Sequence, residues 1–303
     1  MIQIQALKKK FGVTEVLKGL DLQVGSGERI ALVGQNGSGK TTLIRCLLGL
    51  YQYQGKMRVD GFEPRGQRRE MLAGVGFVPQ LPPAFGLSGE DYLDLITSTC
   101  RVPRESVVHH AEELGLDVEA IQKRPFTALS GGMKQKLLIS AAIARRPRLL
   151  VMDEPGANLD PQARQTLFSQ LARLPSETTM LLSSHRVDEL AGLVTRVIEL
   201  DAGQIVLDDV VANAGRSEDL GARCQAWLEL VETPDAIRKT LTHLGFEPVD
   251  GGWRGTVAAP DRFRFLALMT RWSGLVKRFS LDEANPSGTP SDFHVPSSDP
   301  GDP

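Results

Sequence analysis

Residues 29 to 50 read RIALVGQNGSGKTTLIRCLLGL, and this stretch leaves the chain little freedom of fold. The apolar run RIALV suits a buried strand, and GQNGSGKT is a glycine-rich turn of the form GxxxxGK[ST]. Leu43, Ile44, Leu47 and Leu48 then recur at the spacing of a helix with one buried face. Strand, glycine loop and helix in that order let backbone N–H groups surround a phosphate at a helix N-terminus. The candidate cradle is Gly34, Asn36, Gly37, Ser38, Gly39, Lys40, Thr41 and Thr42. Lys40 is expected on β- and γ-phosphate oxygens and the Thr41 hydroxyl on Mg²⁺. Taken alone, such a turn can be only a tight connection.

A second run, RLLVMDEP, outweighs that alternative. It reads as a buried strand ending in Asp153 and Glu154, and doubly wound sheets place their ligand chemistry at the carboxyl ends of strands. Asp153 offers the oxygen donors that Mg²⁺, a hard cation, prefers. Glu154, one residue on, is placed to orient and deprotonate an attacking water. A glutamate is a weak base at neutral pH, so positioning and charge stabilisation must supply most of the rate.

Around these two segments the pattern alternates. IQIQAL and LKGLDLQV read as strands broken by the turn KFGVTE, whereas PPAFGLSGEDYLDLITSTC and RESVVHHAEELGL read as helices. Alternation resumes in TMLLSSH and TRVIELDAGQIVLDD. The expectation is an α/β domain over 1–211 with a helical subdomain at about 82–140. ANAGRSEDLGA, 212–222, reads as a linker. Residues 223–283 follow a β-α-β-β-α-β order, the ferredoxin-like arrangement, with a hairpin at the DGG turn and a second helix in DRFRFLALMTRW. The last stretch, 284–303, is Pro, Ser, Gly and Asp-rich and predicts disorder.

Composition excludes several classes. A net charge of −2 argues against nucleic-acid binding through a basic face. The cysteines, Cys46, Cys100 and Cys224, form no CxxC pair and read as buried, reduced thiols. His109 and His110 read as a solvated helix face, and Trp227, Trp253 and Trp272 as core. No apolar run of about 18 residues is present, and MIQIQALKKKFG lacks the apolar core of a secretory signal, so a cytosolic protein is expected.

With both halves of a nucleotide site present, residues 1 to about 210 resemble the ATP-binding subunits of ABC transporters. LSGGMKQKL looks like that family's signature, GFVPQ like its Q-loop, ANLD like its D-loop and SSH like its switch histidine. The resemblance implies an ATPase that pairs head to tail with a second copy. Ser130, Gly131 and Gly132 of one subunit would then close on ATP held by the other's phosphate loop. It also implies that Gln80 contacts Mg²⁺ or the lytic water, that Asp160 acts across the dimer, that His185 meets the γ-phosphate, and that Phe11 stacks on adenine. Phe11 stands where Tyr is more frequent, Gly156 where Thr or Ser is commoner, and Asn158 is a further departure in the D-loop.

A separate membrane-spanning permease is implied, docked near Leu81, Pro82, Pro83, Phe85 and Leu87 at the inner face of the membrane. SGGMKQKL and the appended domain look most like exporter-type subunits, with a layout similar to the copper-processing type of nitrous oxide reductase maturation. The alternatives are a soluble ABC ATPase acting on a ribosome or nucleic acid, and a nucleotide-gated scaffold without turnover.

Overall fold

The computed structural model describes residues 1–83, 86–184, 190, 192–210, 223–258, 265, 269, 272 and 274–283. The chain divides into two compact units, 1–215 and 216–303. The expected linker and C-terminal tail lie outside the described residues, as do Phe85, His185 and most of the second C-terminal helix.

The first unit opens with a hairpin, β1 (Ile2–Phe11) and β2 (Thr14–Val24), turning at Gly12 and Val13. β4 (Gln54–Val59) pairs with the other edge of β1 to give an antiparallel sheet ordered β2-β1-β4. β3 (Arg29–Val33) belongs to a second, six-stranded sheet with β5 (Val75–Val78), β6 (Leu149–Asp153), β7 (Thr179–Ser183), β8 (Arg196–Asp201) and β9 (Gln204–Val210). Its order is β5-β6-β7-β3-β8-β9, parallel except for the β8–β9 hairpin. A parallel sheet covered on both faces calls for continuous apolar runs, and β6 and β7 are buried at every residue.

Helix α1 (Lys40–Leu47) belongs to a core common to the two sheets, in which its Leu43, Ile44 and Leu47 are clustered with Ile2, Ile4 and Leu20 of the first sheet and Ile30, Leu32 and Val151 of the second. Burying such side chains stabilises by about 1.5 to 3 kcal/mol each, so α1 is fixed chiefly by packing. A short helix, α2 (Arg68–Ala73), leads into β5.

The helical arm holds α3 (Gly89–Cys100), α4 (Arg104–Glu113), α5 (Val118–Ile121) and a 3₁₀ turn at Phe126–Ala128. Helix α6 (Gly131–Ala144) then returns the chain to β6. Helix begins at Gly89 and not at the prolines of PPAF, because Ser88 and Asp91 form a reciprocal capping box there. α7 (Pro161–Ala172) lies between β6 and β7 in the chain.

In the second unit, β10 (Arg223–Leu230), α8 (Asp235–His243), β11 (Glu247–Val249), β12 (Gly252–Ala258) and β13 (Val276–Glu283) build a sheet ordered β11-β12-β10-β13 in which all neighbours are antiparallel. Ala226, Leu228, Ile237, Leu241, Phe246 and Trp253 form its core. Among the described residues no helix is long and apolar enough to cross a membrane. Of the three thiols, Cys46 and Cys224 are buried and Cys100 is only half-buried, a correction to the expectation for that residue.

Candidate functional site

The phosphate loop leaves β3 at Gly34, whose φ of +144° and surroundings admit only glycine, since a Cβ would lie 2.2 Å from the Leu200 carbonyl oxygen. Ser38 anchors the loop: its N–H donates to the Gln35 carbonyl at 3.1 Å, and its carbonyl accepts from the Gly203 N–H of the β8–β9 hairpin at 3.0 Å. The Ser38 hydroxyl is buried and has no hydrogen-bond partner. Asn36 and Gly37 are exposed at the loop tip, while Thr41 and Thr42 are half-buried on the first turn of α1 behind Gly39. The Lys40 ammonium donates to the carbonyls of Gly34, at 2.7 Å, and Gln35, at 3.1 Å. Burial pushes its pKa down, and Glu154 and then Asp153 pull it back up. The phosphate loop and the two carboxylates therefore share one electrostatic site.

That site is assembled by the sheet. β6 and β7 run parallel with Asp153 opposite Ser183, so both side chains arrive at the carboxyl end together. The Ser183 hydroxyl donates to Asp153 Oδ1 at 2.6 Å and accepts the Glu154 N–H at 2.9 Å. Glu154 has φ +47°, a left-handed conformation for a non-glycine residue, which costs about 1 to 3 kcal/mol and persists where the surroundings fix it. Gln80, just past β5, donates from Nε2 to Glu154 Oε2 at 3.1 Å, and Asn158 Nδ2 donates to the Gln80 carbonyl at 3.4 Å.

The site also fits Mg²⁺. Asp153 is buried with its Oδ1 held, the Gln80 amide lies against the adjacent Glu154, and carboxylate and amide oxygens are ligands of the kind this cation takes. Among the described residues no group of three or more His, Cys, Asp or Glu is placed to hold a metal ion.

Ser130 caps α6, its hydroxyl accepting the Met133 N–H at 3.2 Å. Gly131 is exposed, and at Gly132 a Cβ would stand 2.8 Å from the Asn158 carbonyl oxygen, so the start of α6 packs closely on the loop that follows Glu154. Asp160 caps α7 through the Ala163 N–H at 2.8 Å and pairs with Lys136 of α6 at 3.2 Å. Those two partners, Ala163 first, hold its carboxyl below the usual range. Phe11 is 44% exposed at the end of β1, edge-on to Tyr51 with ring centroids 5.2 Å apart. The Tyr51 hydroxyl accepts from Arg45 of α1 at 2.6 Å, which sets the Phe11 ring beside the helix the phosphate loop opens.

Two site residues had no sequence signal of their own. Ser183 stands inside the SSH run, where attention falls on the histidine. Gln135 is fully buried in α6, its Nε2 3.5 Å from the carbonyls of Pro79 and Pro155.

The family model described as ABC transporter matches residues 17–157, from β2 through the loop after Glu154. The lantibiotic transport ATP-binding protein SrtF of Streptococcus pyogenes is 32% identical over 222 residues, 73% of this chain and 95% of that protein. The chain belongs to the ABC transporter ATP-binding subunits. An ABC transporter ATP-binding protein of Methanosarcina acetivorans is 34% identical over 71% of this chain, which spans 36% of that protein's length. The same fold is seen in the dimeric post-hydrolysis structure of the ATP-binding cassette MJ0796 with ADP and Pi. That chain is 22% identical, with a TM-score of 0.62, covering 70% of this chain and 100% of its own. Membership makes this subunit an ATPase of ABC transport.

Proposed function

We propose that this chain hydrolyses ATP in a head-to-tail dimer and so drives a separate membrane-spanning exporter subunit from the cytoplasmic face. Phosphates lie over the 34–42 loop, where Lys40 and backbone N–H groups offset their charge. Thr41, Gln80 and Asp153 would hold Mg²⁺, which when bound neutralises charge on the β- and γ-phosphates. Glu154 takes the proton of the attacking water, and Gln80 orients the Glu154 carboxylate. Phe11 stacks on adenine, and His185 meets the γ-phosphate. Ser130, Gly131 and Gly132 of the second copy, with Asp160 nearby, complete the site across the interface.

The observation that carries this reading is the contact of Gln80 Nε2 with Glu154 Oε2 at 3.1 Å. It supports the reading because Gln80 and Glu154 come from separate sequence segments. Leu81, 77% exposed directly after Gln80, with Pro82 and Pro83, supports docking of a membrane partner there. The C-terminal strand order supports a ferredoxin-like domain, and the appended domain with SGGMKQKL supports the exporter reading and its similarity to the copper-processing type.

Glu154→Gln tests the assignment. It keeps ATP binding while turnover falls by about 100-fold or more, the range for loss of a general base. Lys40→Ala loses ATP binding. Hydrolysis by Glu154→Gln at the normal rate would remove Glu154 from the role of base.

A further inference from the structure

We propose that Ser183 is a positioning residue for ATP hydrolysis, setting the Asp153 carboxylate toward Mg²⁺ and holding the backbone of Glu154. This rests on the reading of Asp153 as metal ligand and Glu154 as base. Ser183 is fully buried at the last position of β7, and the parallel register with β6 sets it opposite Asp153.

A serine hydroxyl has one proton and two lone pairs. Here the proton is given to Asp153 Oδ1 at 2.6 Å, and a lone pair accepts the Glu154 N–H at 2.9 Å. One small side chain thus touches both carboxylate residues, through different kinds of group. The first bond restrains rotation of the Asp153 carboxylate, which would keep it oriented for a cation. The second restrains the φ +47° turn at Glu154, from which the side chain reaches Gln80 at 3.1 Å. Outer partners of metal-ligating carboxylates act in this way, and their loss typically costs about 10-fold to 100-fold in metal affinity or activity.

The test is Mg²⁺ titration of the binding of a fluorescent non-hydrolysable ATP analogue, read beside kcat and thermal stability. In Ser183→Ala, affinity without Mg²⁺ stays within about 2-fold of the parent, the Mg²⁺ midpoint rises by about 10-fold, and kcat falls by at least as much. Ser183→Thr, which keeps the hydroxyl, returns the midpoint toward the parent value. A folded Ser183→Ala with an unchanged midpoint overturns the proposal. Should Ser183→Ala not fold, Ser183→Cys, with its weak S–H donor, takes its place under the same criterion. Unfolding of both beside a normal Ser183→Thr marks the residue as structural and likewise overturns it. Asp153→Asn separates the two levels: if it leaves the Mg²⁺ midpoint unchanged, the underlying site assignment fails; if it shifts the midpoint and Ser183→Ala does not, only the role of Ser183 fails.

Discussion

Gly34 and Gly37 stand in one loop, both at positive φ, yet they answer to different constraints. A Cβ on Gly34 meets the Leu200 carbonyl oxygen at 2.2 Å, whereas one on Gly37, at φ +85°, meets nothing within 4 Å. Gly34→Ala therefore forces backbone apart and is expected to destabilise by on the order of 3 kcal/mol or more. Gly37→Ala pays only the left-handed conformation, about 1 to 2 kcal/mol, and stays folded. Because this loop is the proposed phosphate cradle, nucleotide affinity is also expected to fall. Urea unfolding with nucleotide titration checks both, and equal destabilisation of the two variants contradicts the argument. The cysteines differ in the same local way. Burial pushes the Cys46 thiol up to about 11, so alkylation of the native protein at neutral pH should modify the half-buried Cys100 well before Cys46. The letters GQNGSGKT marked both glycines in advance, because the motif is a local pattern. They could not say which one the β8–β9 hairpin fences in. Ser183 was illegible for the same reason: its partners come from a neighbouring strand.

Elements with strong local signals are legible in the sequence, and some that depend on a partner are not. RIALV, LLVMD and TMLLS are dominated by apolar residues, and each is a central strand of the parallel sheet. β4, QGKMRV, buries only Met57 and Val59, and pairing along β1 makes it a strand. α6 is buried on nearly every side, which erases the one-sided stripe that helical spacing predicts. The joint between arm and core is likewise set by contact, since Gln170 of α7 donates to the His110 carbonyl at 3.2 Å and to Glu113 Oε2 at 2.7 Å. Arg173 of α7 adds a contact to Glu113 Oε1 at 3.2 Å. His110 was expected on a solvated face. Instead its Nδ1 is buried without a hydrogen-bond partner, 3.9 Å from Glu113 Oε2. Burial lowers its pKa, Glu113 partly restores it, and His109 and Arg146 lower it further. The native value thus lies below the unfolded value of about 6.5, and between the two the unfolded chain binds more protons. The contribution of His110 is present above pH of about 6.5 and is lost as pH falls through that window. Chemical denaturation from pH 8 to 5 should show wild type losing more stability than His110→Asn below about pH 6.5, and parallel curves would refute it.

At the scale of the molecule, the two proposed phosphate contacts belong to different parts of the first unit. The 34–42 loop lies between the two sheets at the start of α1, whereas Ser130, Gly131 and Gly132 open α6 and pack on the loop after Glu154. Among the described residues no hydrogen bond or ion pair links Ser130, Gly131 or Gly132 to the phosphate loop. A second copy supplies the missing half if ATP is clamped between one subunit's loop and the other's α6 start, and then nucleotide binding and dimerisation are linked. The prediction follows from that linkage. Glu154→Gln, which arrests turnover, should sediment as a dimer with Mg²⁺ and ATP and as a monomer with ADP. Adding Ser130→Arg places a bulky cation at the α6 start and should keep the protein monomeric while each copy still binds ATP, because the phosphate loop is untouched. Equilibrium sedimentation with nucleotide titration separates the outcomes. A dimer indifferent to nucleotide, or one that survives Ser130→Arg, would assign the association to another surface and leave the glycines at 131 and 132 to packing against Asn158 alone.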